Sequence, residues 1–95
     1  MGTNEGKNNN PKMEDYYITW RVIERDSSGN ERVPSKSKYN LKKLFAEIRM
    51  QYKSYAGKDI KERANVCIYP HENRISFVVD DGDYSGEIAL DEFVN

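Results

Sequence analysis

Histidine and cysteine occur once each in these 95 residues, at His71 and Cys67, and proline only three times. One thiol cannot close an internal disulfide, so the chain is no cysteine-stapled scaffold and suits a reducing compartment. One imidazole and one thiol also exclude a zinc set built from a single chain. The same scarcity leaves little for nucleophilic catalysis. Cys67 reads as mid-strand and His71 as part of the following turn, so a small apolar strand residue and a solvated histidine account for the pair.

Long apolar runs are missing as well. None approaches the roughly 18 residues of a membrane span, and the N-terminus lacks the apolar stretch of a secretion signal, so a cytoplasmic location is expected. Gly29, Gly57, Gly82 and Gly86 stand alone, which removes the glycine-rich phosphate loop and any support for a nucleotide cofactor. No catalytic residue, metal or cofactor is expected, and the chain is read as a non-enzyme.

What is present is charge, 15 Lys or Arg against 16 Asp or Glu, and it is segregated. Residues 31–63 hold ten cations and four anions, whereas residues 64–95 hold one cation, Arg74, and seven anions. Such a field steers partners even when the net charge is −1. A sequence pI near 5.8 speaks against a protein devoted to coating nucleic acid. The abundance of Asn, Lys, Tyr and Ile fits an AT-rich genome, such as a low-GC bacterium or its phage.

Residues 1–13 are polar and rich in Asn, Gly and Lys, a composition that cannot offset the entropy of ordering, and are expected to form a disordered tail ahead of one domain over 14–95. From Tyr16 the chain alternates, with Ile18, Trp20 and Val22 on one face and Tyr17, Thr19, Arg21 and Ile23 on the other. Asp26–Asn30 is turn chemistry, after which Glu31–Pro34 is expected to return as a short edge strand. Asn40 is placed to cap a helix whose apolar stripe is Leu41, Leu44, Phe45, Ile48, Tyr52 and Tyr55, with Gly57 as its left-handed stop.

Ala64–Leu90 reads as a three-stranded meander. A turn at Asp81-Gly82 sets Val79 opposite Tyr84, Phe77 opposite Gly86 and Ile75 opposite Ile88. A turn at Pro70–Asn73 sets Ile68 opposite Ile75 and Val66 opposite Phe77. The expected fold is therefore α+β, an antiparallel sheet of about five strands in the order β-β-α-β-β-β with one amphipathic helix on one face. The inner set is Ile18, Trp20, Val22, Leu41, Leu44, Phe45, Ile48, Val66, Ile68, Ile75, Phe77, Val79, Ile88 and Leu90.

One helix covers one face of a sheet, so the other is expected to be open and to carry Tyr17, Arg21, Tyr69 and Arg74. Tyrosine and arginine there suit a protein interface, and they also suit stacking on unpaired bases. On the helix, Lys42, Arg49 and Lys53 fall within about 40° of one another, a cationic flank beside the apolar stripe. Asp80, Asp81 and Asp83 gather around a turn. They are candidates for a partner contact or for imitation of phosphate, while the spacing misses a calcium loop and a plain hairpin turn explains the same residues.

The stretch Ile18–Ile48, with its turn at Asp26–Asn30, then Ser35-Lys36-Ser37-Lys38-Tyr39 and a helix from Asn40, resembles the small arm-type DNA-binding domains of phage integrases. In that family strands dock in the major groove with the helix packed behind them. The resemblance spans about a third of the chain, without a specific motif, and the acidic meander departs from it. It is not adopted. The reading reached is a small non-enzymatic protein-binding accessory or regulatory module of phage or mobile-element type. Its contacts use the open sheet face and one charged block. The alternative is nucleic-acid binding by the Lys42, Arg49 and Lys53 flank, and self-association through a sheet edge or face is a further option. No membrane partner is expected.

Overall fold

The computed structural model describes residues 18–95; the expected tail over 1–13 and Tyr17 lie outside the described residues. In chain order the elements are β1 (Thr19–Arg25), β2 (Glu31–Arg32), α1 (Leu41–Ala56), β3 (Arg63–Tyr69), β4 (Arg74–Val79) and β5 (Tyr84–Ala89). Short 3-10 turns at Pro70–Glu72, Asp80–Gly82 and Leu90–Phe93 follow β3, β4 and β5. The protein is a small α+β fold with one helix and one five-stranded sheet, ordered β2-β1-β3-β4-β5.

The sheet is mixed, which corrects the expectation of a purely antiparallel one: β1 and β3 run parallel, from Thr19 opposite Arg63 to Glu24 opposite Ile68. The reason is length. Sixteen helical residues at about 1.5 Å each carry the chain about 24 Å, the span of seven strand residues at about 3.3 Å. The helix returns the chain to the end of the sheet where β1 began, and β3 starts there. A helical crossover of this kind joins parallel neighbours, whereas a tight hairpin cannot.

The local signals hold. Asn40 caps α1 by accepting the Lys43 N–H at 3.1 Å, and Gly57 closes it at φ 73°, its N–H donating to the Lys53 carbonyl at 2.8 Å. The meander has the expected register in every named pair, including Phe77 opposite Gly86 and Val66 opposite Phe77. The β4–β5 turn itself is longer than Asp81-Gly82, running from Asp80 to Asp83 with Asp80, Asp81 and Gly82 all at positive φ. Phe77 lies across Gly86 so closely that a Cβ there would meet its ring at 2.8 Å, which explains the glycine. The return strand β2 stops at Arg32, before the expected Pro34.

All fourteen expected inner residues lie in the core or pack against it. The core also takes Tyr39, Tyr52, Ile60, Ala64 and Phe93. Phe93 and Tyr39 enter together, because Tyr39 bridges to Val94 and the Asn40 N–H donates to the Phe93 carbonyl at 2.7 Å, tying the last turn to the start of α1. Glu24 is the one buried charged residue among the described residues, 3% exposed on the inner face of β1. Its carboxylate accepts from the Tyr39 hydroxyl, from Arg32 Nε at 2.9 Å and from Lys38 Nζ at 3.4 Å.

Candidate binding surfaces

The alternation of β1, β3 and β4 fixes which side chains reach the open face. Arg21 stands beside Asn65 and Ile23 beside Cys67 across β1 and β3, while Cys67 faces Ser76 and Asn65 faces Val78 across β3 and β4. These residues line a hollow of about 280 Å³. Ile23 and Cys67 are half-buried and Val78 is exposed, so its floor is apolar although water reaches it. Arg21 is exposed at its rim and makes no hydrogen bond or ion pair among the described residues.

Two residues beyond Cys67 along β3, roughly 7 Å at the rise of a strand, Tyr69 and Arg74 form a second feature beside the hollow. They are opposite one another, and the guanidinium carbon of Arg74 lies 4.0 Å from the centre of the Tyr69 ring. Arg74 also donates to Glu72 at 2.8 Å and Glu87 at 3.0 Å. The Tyr69 hydroxyl is pushed to higher pKa by its hydrogen bond with the Cys67 thiol, then by burial, against the opposing charges of Arg25 and Arg74. This end of the face is occupied with internal pairing, and Arg25 beside it is paired with Glu31.

Cations are sorted by chemistry. Four of the six arginines, Arg21, Arg25, Arg63 and Arg74, project from the strands on the open face, and none of the seven lysines among the described residues does. Lysine is confined to the helix, the loops and the N-terminal residues. Arginine is enriched and lysine depleted in protein interfaces, because the planar, weakly hydrated guanidinium loses less on leaving water.

The helix flank is less uniform than its spacing suggested. Lys42 and Lys53 are exposed, but Arg49 between them is turned to Asp59, with Nε 3.1 Å from Oδ1 and a second hydrogen bond to Oδ2. Arg49 is therefore an internal anchor for the segment that follows α1. The signal was available in principle, since Asp59 follows the helix end closely, but nothing local dictates that the chain turns back there.

The acidic turn is likewise wired inward. Asp80 accepts backbone N–H groups of Lys61 at 2.9 Å, Glu62 at 2.7 Å and Arg63 at 3.0 Å. Burial would raise its carboxyl, yet those three donors outweigh it and hold the pKa below the ordinary value. Asp81 takes Arg63 Nη1 at 3.1 Å, and Asp83 accepts the Tyr52 hydroxyl, whose own pKa is pushed up to about 12 chiefly by that bond. The three carboxylates thus serve three different partners rather than converging on one point.

Cys67 sits in mid-strand and exposed His71 in the turn after it, with no bond between them. Among the described residues no group of three or more His, Cys, Asp or Glu is placed to hold a metal ion, and no helix is long and apolar enough to cross a membrane. No protein-family model, curated protein or solved structure matches this chain.

Proposed function

We propose that the protein acts by binding another protein through the open face of its sheet, as an accessory or regulatory module rather than a catalyst. The observation that supports this most directly is the unpaired Arg21 at the rim of the Ile23, Cys67 and Val78 hollow. A small apolar hollow beside a free guanidinium matches a partner that inserts an apolar side chain and sets a carboxylate next to it. The other charges of the face have counter-ions in hand, so Arg21 carries the charge selectivity. With Arg49 held by Asp59, the helix flank offers phosphate two separated lysines rather than a ridge, which makes the nucleic-acid alternative the weaker reading.

The test compares surface variants in capture from the cells that encode the protein. A partner retained by wild type and by Lys53→Glu, and weakened at least about tenfold by Arg21→Glu, a loss of about 1.4 kcal/mol, supports the reading. Retention by Arg21→Glu with loss in Lys42→Glu and Lys53→Glu overturns it in favour of the helix. Binding to DNA or RNA that falls steeply with salt also overturns it.

A further inference from the structure

The two edges of the sheet differ. The β2 edge is two residues long and is followed by Pro34, so it offers little to pair with. The β5 edge is six residues long, paired on one side only by β4 and unpaired on the other among the described residues. It lacks the usual devices that block pairing: no proline, no lysine and no break in its register. Its single charge, Glu87, is already bonded to Arg74.

Two features beside this edge say what would fit it. On the helix side, Met50 is 66% and Tyr55 64% exposed, and Tyr55 packs 4.6 Å from Tyr84 at the start of β5. With Gln51, Ser54 and Tyr84 they line a hollow of about 380 Å³ beside the start of the strand. Two cations lie nearby, Arg74 bonded to Glu87 and Lys43 to the Glu92 carbonyl, but the side-chain charge left without a partner at this edge among the described residues is acidic. No cation follows Arg74, while Asp83, Asp91 and Glu92 flank the ends of β5, and the side chains of Asp91 and Glu92 have no partner among the described residues.

We propose that β5 accepts an extended basic segment of another protein as a sixth strand. Backbone hydrogen bonding supplies the common part of such strand addition, and alternate side chains supply selectivity. Here an apolar residue opposite Gly86 lies on the Met50, Tyr55 and Tyr84 shelf, and Lys or Arg on alternate positions meets the Glu87 side. This surface is separate from the Arg21 hollow, and the two proposals fail separately.

The probes are a capped octapeptide alternating valine and lysine, its valine and glutamate counterpart, and two lysine versions N-methylated on alternate residues in either phase. With the full chain at low concentration, the lysine peptide is expected to shift the amide resonances of Tyr84–Ala89 and to slow their hydrogen exchange. One N-methylated phase loses this effect. Added salt weakens binding about tenfold or more between dilute and 0.5 M conditions. Asp91→Lys with Glu92→Lys, both at exposed positions, weakens it similarly, and Arg21→Glu leaves it unchanged. No shift, or an equal shift with the glutamate peptide, overturns the proposal. So does protection, in the free protein, of the alternate β5 amides that point away from β4, which assigns the edge to this chain's own residues or, where protection grows with concentration, to a second copy.

Discussion

Glu24 shows what a single residue can settle and what it demands. The alternation that sends Trp20 and Val22 inward sends Glu24 inward too, and a buried carboxylate is tolerated only with its hydrogen bonds made. Burial by itself would raise the Glu24 carboxyl, but the Tyr39 hydroxyl, Arg32 and Lys38 together hold it below its ordinary value of 4.5. A carboxylate with a depressed folded pKa contributes stability that is complete above the unfolded value and is lost as pH falls through the folded one. The urea midpoint is therefore expected to drop on acidification below about pH 4.5, and Glu24→Gln is expected to flatten that part of the profile. The same variant costs about 1–3 kcal/mol at neutral pH, since the buried Tyr39 hydroxyl loses its charged acceptor. An unchanged acid slope in Glu24→Gln would assign the loss to other carboxylates, Asp80 among them.

At the scale of elements, Asp80 carries the contact between β3 and β4 beyond the last pair of their ladder, Ala64 opposite Val79. Its carboxylate receives three successive N–H groups from the connection between α1 and β3, and so fixes the start of β3 to the turn that follows β4. It does this from a left-handed backbone, φ 47°, which aspartate tolerates better than most residues. Asp80→Ala is expected to cost about 1–3 kcal/mol by leaving those donors without their acceptor. Asp80→Asn keeps a carbonyl oxygen and loses less. Thermal unfolding of the two variants measures the difference, and equal losses would show that charge rather than hydrogen bonding holds the turn. The helix and the meander registers were legible in the sequence because each depends on neighbours a few residues apart: the Leu44, Ile48 and Tyr52 spacing, or the face shared by Ile75, Phe77 and Val79 across short turns. Tyr39 and Phe93 were not, because each is enclosed by segments far away in the chain, Tyr39 by Glu24 and Val94 and Phe93 by the start of α1.

Across the whole molecule the two charged blocks are joined to each other and partly to themselves. Arg63 of the basic block meets Asp81 of the acidic one, and Lys43 Nζ reaches the Glu92 carbonyl at 3.1 Å, while Arg49 and Asp59 pair inside the basic block. Exposed pairs such as Arg25–Glu31, Arg63–Asp81 and Arg74–Glu87 contribute about 0–1 kcal/mol each. Raising salt from dilute to about 0.5 M is thus expected to move the Tm by only a few degrees. A much larger fall would mean that the charge separation carries the fold rather than the partner surfaces.

Sequence alone determined the local order: the helix with its Asn40 and Gly57 ends, the inner and outer faces of β1 and of the meander strands, the meander register, and the division of charge into two blocks. Periodicity and turn chemistry act over a few residues, so the chain states them directly. Only the tertiary structure decided that β1 and β3 lie parallel, that Glu24 is enclosed by Tyr39, Arg32 and Lys38, and that Arg49, Asp80 and Asp83 are bonded to other parts of the chain while Arg21 has no partner among the described residues. Those outcomes depend on which distant segments are brought together when the helix folds back over the sheet, and ion pairing follows that closure rather than the order of residues along the chain.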